Sequence, residues 1–343
     1  MAEEAGTVER SATITFHPPA SDASLRAALH QLAGRSPVLR AVAAGAAPLE
    51  RMAVEAEAPH LVDAQVVEDA KCRARRVDQR VEEGGGFGGF LDGVQESHTV
   101  CWYEQLFPIV VGTVAAVIRE RVDRHLGTWR EPIVRRRLYV PFAHVPRALL
   151  DGILPDELLV DVSVSGGDAP SASLHPLHVL EETRHAVERD RESAEAELAE
   201  AWCASESRAL YVDGSISGGE HVARASTAVG VIKSHRTLYA SGDALRTIVG
   251  LGKGERSSVL RVAPRFRSSV LSWYLRLRDP TGHDALWALV RVEAADSERS
   301  LRHADEISRW ILAEGAPTAM PDSRWDRMSY GVRNCEEFLR AIR

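Results

Sequence analysis

Two short segments of the chain each carry one aspartate directly before a glycine, after an apolar run. The first reads Phe90-Leu91-Asp92-Gly93, and the second ends in Val212-Asp213-Gly214. A strand can hold a carboxylate in a fixed place, and the following glycine lets a metal, water or phosphate approach the backbone. Mg²⁺ and Mn²⁺ require hard, rigidly placed oxygen ligands of this kind. The pair of aspartates therefore suggests divalent-metal phosphodiester chemistry.

A simple turn is the other explanation for each segment, because Asp-Gly is among the commonest hairpin dipeptides. Two features favour the catalytic interpretation. Each aspartate follows a run that resembles a strand and leads on to another strand, and a long acidic helix is predicted between them. Lys233 follows the next strand-like run, residues 227–232. Its ammonium group could contact a scissile phosphate, or it could be a lysine that extends from a strand end into solvent.

The acidic helix is predicted over residues 178–203. Its apolar residues recur at helical spacing and form one stripe: Leu180, Val187, Ala194, Leu198 and Trp202. Most of its glutamates belong to a solvated face, but Glu195 falls at the edge of the stripe, with Arg191 one turn before it. We expect Glu195 to point towards the two aspartates. Glu192 is the alternative, because sequence does not fix the rotation of a helix this finely.

The remaining pattern predicts an α/β chain with a mixed sheet flanked by helices. A strand over 12–16 and a helix over 24–44 come first, and the glycines of 84–89 are a flexible lead into the first strand. After Asp92 we expect a second strand, a helix over about 114–126, further sheet over 137–142 and a loop over 163–173. After Asp213 the predicted strands are 227–232, 258–262, 270–277 and 286–293, and the predicted helices are 242–249, 301–313 and 332–342.

Composition limits the classes of function. The 343 residues carry a net charge of −7, which argues against a protein that coats nucleic acid through a general positive charge. The four cysteines have no metal-ligand spacing, which predicts reduced thiols in a cytoplasmic protein without zinc. The longest apolar stretch, residues 106–118, is shorter than the roughly 20 residues that span a bilayer. No membrane association is expected.

The ordered set of features resembles the NurA nuclease family. The residues that carry the resemblance are Phe90 to Gly93, Arg191 and Glu195 on the acidic helix, Leu210 to Ser215, Val229 to Ser234 and Leu289 to Glu293. The resemblance implies a ribonuclease H-like fold and a Mn²⁺- or Mg²⁺-dependent DNA nuclease. Such nucleases work with a HerA-like hexameric ATPase in DNA-end processing or phage defence.

By the same resemblance, Asp92, Glu195 and Asp213 would bind the metals. Family members also use a late residue, often histidine, and the stretch 330–336 contains none. Asn334 or Glu336 could replace it, and Glu293 is a further alternative ligand.

We divide the chain into a partner-docking region, 1–80, and a nuclease domain, 81–343. A homodimer is expected because twofold pairing is the commonest closed symmetry. Two other functions stay open: a catalytically weak scaffold or partner-binding protein with the same fold, and an Argonaute-type nuclease. The last ranks lowest, because the chain is short for a nuclease that also carries guide-anchoring domains.

Overall fold

The structure is a computed structural model, and it describes residues 39–41, 49, 58–78, 85–123, 125–150, 154–163, 175–263, 267–315 and 325–342. The predicted strand over 12–16 lies outside these residues, as do the loop over 164–173 and most of the predicted helix over 24–44. The described part of that helix, Leu39–Ala41, is a strand that pairs with the end of a longer strand at Cys101 to Tyr103. The helix prediction is therefore wrong for these three residues.

The elements below are those of the described residues. The strands are β1 Leu39–Ala41, β2 His60–Leu61, β3 Gln65–Val66, β4 Ala74–Arg76, β5 Phe87–Tyr103, β6 Phe107–Val122, β7 His125–Thr128, β8 Ile133–Val140, β9 Leu159–Asp161, β10 Ala209–Asp213, β11 Ala228–Ile232, β12 Thr237–Leu238, β13 Glu255–Ser257, β14 Leu260–Val262, β15 Val270–Arg276 and β16 Leu289–Ala295. The α-helices are α1 Pro176–Ser205, α2 Glu220–Arg224, α3 Gly242–Val249, α4 Glu298–Arg302, α5 Ala304–Ala313 and α6 Tyr330–Ile342.

Nearly all the strands form one mixed sheet. Its central order is β8-β6-β5-β10-β11, in which β6 runs antiparallel to both of its neighbours while β5, β10 and β11 run parallel. This is the strand order and direction of a ribonuclease H-like sheet. Beyond β11 the sheet continues through the antiparallel strands β16, β15 and β14.

Helices cover both faces of this sheet. Leu198 and Trp202 of α1 pack on one face, together with α2 and α3, over Leu91 and Val212. Helices α5 and α6 pack on the other face, over a cluster that contains Phe90. The fold class, a mixed sheet flanked by helices, is therefore confirmed. Among the described helices, none is both long and apolar enough to cross a membrane.

The predicted helix over 114–126 is wrong, because this segment is the second half of β6 followed by β7. The register of β6 on β5 pairs Val117 with Asp92 and Ile118 with Leu91. Residues 114–118 are all buried, since helices cover both faces of the sheet there. A strand that is buried on both faces loses the alternating pattern that identifies a strand.

Helix α1 confirms the predicted acidic helix and extends it slightly at both ends. The His175 side chain caps it by accepting a hydrogen bond of 3.2 Å from the Leu177 backbone N–H, and Pro176 occupies the first turn. All five residues of the predicted stripe are buried. The ring of Trp202 lies against Gly89 of β5, where a Cβ atom would come within 2.7 Å of it. The packing of this ring requires glycine at position 89.

The described part of the 1–80 region contributes strands to the sheet. β3 pairs with β14, and β4 pairs with β13. Glu68 accepts two hydrogen bonds, of 2.7 and 2.8 Å, from the buried guanidinium of Arg256. The strands β3 and β4 are thus built into the same sheet as the predicted nuclease domain, while β2 pairs with β12 in a separate two-stranded sheet. A docking role for residues 1–80 stays a prediction.

Candidate active site

Asp92 and Asp213 lie side by side in the middle of the sheet. The parallel register of β5 and β10 pairs Leu91 with Val212, so the next residue on each strand is one of the two aspartates. Asp213 ends β10, as predicted, whereas Asp92 is the sixth residue of a strand that continues to Tyr103. Asp92 is only 7% exposed. The fixed position of its carboxylate comes from pairing on both sides and not from a strand end.

Glu195 approaches the same place from the α1 side of the sheet. Successive residues of a strand point to opposite faces, so Asp92 shares the α6 face with Phe90 while Gly93 faces α1. A Cβ atom at Gly93 would lie 2.3 Å from Oε1 of Glu195. The glycine of the first Asp-Gly segment therefore makes room for the Glu195 carboxylate. The sequence pattern identified this glycine but assigned the close approach to a metal, water or phosphate.

The pKa of Asp92 is shifted by its burial and by the acidic groups around it. Burial raises the pKa of Asp92 well above its usual value, and the neighbouring carboxylate of Asp213 raises it further. Glu195 and Glu336 add smaller upward effects on this pKa, while the Lys233 ammonium lowers it. Four acidic side chains thus act on one another here, which makes the place favourable for a cation.

Two cations of the chain itself balance part of this charge. The Lys233 Nζ atom lies 2.8 Å from Oδ1 and 2.9 Å from Oδ2 of Asp213. On the other face, Arg191 donates a hydrogen bond to Glu195 and another, of 3.1 Å, to Oε1 of Gln95. Burial nevertheless raises the pKa of Glu195 to about 7, against the lowering effect of Arg191.

Gln95 was not predicted from the sequence. It lies on the same face as Gly93, two residues further along β5, and it holds the Arg191 guanidinium beside Glu195. The signal that could have found it is the alternation of the strand, which places residues 93 and 95 on the helix-covered face.

Glu293 has a different place from the one expected of a ligand. It is 1% exposed and accepts hydrogen bonds from the Ser215 hydroxyl at 2.8 Å and from the Ile216 backbone N–H at 3.0 Å. It also accepts a hydrogen bond from Arg291. Glu293 therefore anchors the loop that follows Asp213. In that loop Gly214 adopts a φ of 142°, which side-chain-bearing residues rarely take.

The two candidates for the late residue differ in their surroundings. Asn334 accepts a hydrogen bond of 2.8 Å from Nε of Arg119, so its amide oxygen already has a partner. Glu336 is buried on α6, close enough to Asp92 to raise its pKa, and accepts a hydrogen bond of 3.1 Å from Arg340. Glu192, the alternative to Glu195, is exposed and lines the same cleft as Asp213 and Glu195. Glu336 is thus the better placed late residue.

The donor set suits a hard divalent cation by its chemistry, because every candidate side chain offers carboxylate oxygens. The placement of these side chains differs from that of the ligands in an assembled metal site. Within the described ranges, no three histidine, cysteine, aspartate or glutamate side chains converge on one point as the ligands of a bound ion do. Lys233 and Arg191 lie where they neutralise two of the carboxylates instead.

No protein-family model matches this sequence, and no curated protein matches it either. Among solved structures, the chain is similar to the NurA nuclease from Sulfolobus solfataricus, with 9% sequence identity and a TM-score of 0.45. The matched region covers 77% of this chain and 82% of that one.

Proposed function

We propose that the protein is a divalent-metal-dependent nuclease that hydrolyses phosphodiester bonds in DNA. The observation that carries this proposal is the register of β5 and β10, which brings Asp92 and Asp213 side by side, while a third carboxylate, Glu195, packs against the adjacent Gly93 from the α1 face. Buried carboxylates repel one another unless a cation separates them. The sequence resemblance to NurA nucleases implies metal binding by the same three residues.

Each residue has a defined part in this proposal. Asp92, Asp213 and Glu195 would hold Mn²⁺ or Mg²⁺, with Glu336 as an additional carboxylate on the α6 side. A bound divalent cation supplies an activated water and neutralises charge on the scissile phosphate. Lys233 would then donate to a phosphate oxygen with the ammonium group that now binds Asp213. Gln95 and Arg191 keep the Glu195 carboxylate in place.

The test is Mn²⁺-dependent degradation of linear DNA by the purified protein, with EDTA as the negative control. Asp92→Asn and Asp213→Asn should each abolish turnover, because each removes a ligand charge while keeping the side-chain shape. Asp243→Asn is a matched control, since its side chain is 95% exposed on α3. Full activity of the Asp213→Asn protein would refute the assignment.

The proposal extends to partners. A protein with a net charge of −7 has little sequence-independent attraction for DNA, because such attraction comes from cationic side chains that release counterions. A HerA-like hexameric ATPase that threads DNA into the nuclease would overcome this, in end processing or phage defence. We expect a homodimer that docks through residues 1–80. Light scattering of the protein, alone and mixed with such an ATPase, tests both expectations.

A second function, a catalytically weak scaffold, is favoured by one observation. Lys233 contacts both carboxylate oxygens of Asp213, and Arg191 is bonded to Glu195, so the chain provides its own counterions. Thermal melting separates the two functions. A ligand that binds only the folded state raises the melting temperature, so Mn²⁺ should stabilise a nuclease and leave a scaffold unchanged.

A further inference from the structure

A cleft of about 370 Å³ opens beside Asp213 and Glu195 on the α1 side of the sheet. One wall is α1, from Arg189 to Ala199, and the other is the loop and short helix that follow Asp213, up to Val222. The space suits one nucleotide-sized group at a time, since small-ligand pockets start at roughly 300 Å³. This volume is that of a single nucleotide rather than of paired strands.

Two arginines of this cleft have no carboxylate partner among the described residues. Arg189 extends from α1, and Arg267 extends from the chain just before β15, and both are exposed. They differ from Arg191, which lies in the same cleft and is bonded to Glu195. A guanidinium that is exposed in a cleft and has no acidic partner is free to bind an oxyanion such as a phosphate.

The opposite wall contains a glycine that the fold itself does not explain. A Cβ atom at Gly218 would meet no atom within 4 Å, and its φ lies outside the left-handed region. Neither packing nor backbone conformation therefore requires glycine there. The open space at this position leaves room for a ligand to come close to the loop backbone. Gly214, by contrast, is explained by its φ of 142°.

The position of Arg189 on α1 sets its distance from the Glu195 carboxylate along the helix. Arg189 precedes Glu195 by six residues, which corresponds to about 9 Å along a helix with a rise of 1.5 Å per residue. At about 3.4 Å per nucleotide in a stacked strand, this distance spans two to three nucleotides. A strand whose scissile phosphate lies at Asp213 and Glu195 would thus present to Arg189 a phosphate two to three nucleotides away.

We propose that this cleft is the path of a single nucleic-acid strand, in which Arg189 and Arg267 bind phosphates near the scissile one. The proposal rests on the proposed nuclease function and adds to it the form of the substrate and two positioning residues. Neither arginine acts on the reacting phosphate. They set where along the strand that phosphate is held.

The test measures binding without hydrolysis. Fluorescence anisotropy of a labelled single-stranded oligonucleotide is recorded in EDTA over a range of salt concentrations, for the wild type, Arg189→Gln and Arg267→Gln. Each lost phosphate contact should lower the salt slope by about 0.7, which corresponds to about a fivefold loss of affinity at 0.1 M salt. Arg246→Gln and Arg302→Gln are matched controls, because both side chains are exposed and paired on helices outside the cleft.

The outcomes separate this proposal from the function on which it rests. If the wild type degrades DNA and both variants keep the wild-type salt slope, the proposed strand path is refuted and the nuclease assignment is not affected. If both variants have a lower salt slope but the wild type does not hydrolyse DNA, the strand path is supported and the nuclease function is refuted. A duplex of the same sequence that binds equally well, with the same loss in both variants, would overturn the restriction to a single strand. Melting temperatures confirm that the variants are folded.

Discussion

Replacing Gly93 with alanine is expected to remove activity while leaving the fold intact. The added Cβ atom would lie 2.3 Å from Oε1 of Glu195, whereas ordinary contacts begin near 3.4 Å. The carboxylate must therefore move by at least about 1 Å, and a misplacement of this size costs on the order of 100-fold in rate. The clash should cost little stability, because the nearest atom, Oε1 of Glu195, is at the end of a flexible side chain that can move.

Stability should change little for the same reason. A Gly→Ala change in a compatible backbone gains about 0.4–1 kcal/mol from the unfolded state, which offsets the cost of moving Glu195. We expect the free energy of unfolding to stay within about 1 kcal/mol of wild type. The assay is Mn²⁺-dependent DNA hydrolysis, with thermal melting of the same samples. Gly127→Ala is the matched control, since a Cβ atom there would meet nothing within 4 Å.

A rescue variant tests whether the effect passes through Glu195. Glu195→Asp shortens the side chain by one methylene, which should lower the activity of the otherwise wild-type protein. Combined with Gly93→Ala, the shorter side chain should relieve the clash and restore part of the activity that Gly93→Ala removes. Wild-type turnover by Gly93→Ala would refute the argument that Glu195 acts from this position. Loss of activity together with a large fall in melting temperature would also refute it, because the change would then be one of folding.

Three further outcomes follow from the same structure. Gly331→Ala should lower the free energy of unfolding by about 1–3 kcal/mol in chemical denaturation, since its Cβ atom would come within 2.2 Å of the buried Phe90 ring on β5; unchanged stability would show that α6 is less closely packed. Glu293→Ala should cost about 3–5 kcal/mol, because it leaves the guanidinium of Arg291 buried without its partner. It should also slow turnover, by releasing the loop after Asp213, and a variant as stable as wild type would contradict the anchoring role. Asp92→Asn should raise the melting temperature in EDTA, because burial and Asp213 disfavour the charged form; it should also abolish the stabilisation by Mn²⁺ that we expect of the wild type.

The local sequence pattern was sufficient to predict those helices and strands that have one solvated face. Helix α1 could be predicted almost to its ends, because its buried stripe and its charged face differ at every turn. The strands that carry Asp213 and precede Lys233 could be predicted as well, from short apolar runs that end at a turn or a charge. These signals identified Asp213, and Glu195 was selected over Glu192 from its position at the edge of the stripe. Glu336 was named only from the family resemblance.

Elements buried on both faces could not be predicted in this way. The second half of β6 was interpreted as a helix, because residues 114–118 are apolar without a break. Their strand conformation comes from backbone pairing with β5, which lies more than twenty residues earlier in the chain. No property of the segment itself distinguishes a buried strand from a buried helix at this length.

The roles of the charged residues were likewise decided by tertiary structure. The sequence by itself determined which acidic and basic side chains are available, and it placed glycine after each aspartate. Only the packing of α1 over β5 showed that Gly93 accommodates Glu195, and only the pairing of β11 with β16 brought Glu293 to the loop after Asp213. A pattern along the chain records which face a side chain occupies. Which distant group meets it there depends on the strand register and the helix packing, because these set distances between residues that are far apart in sequence.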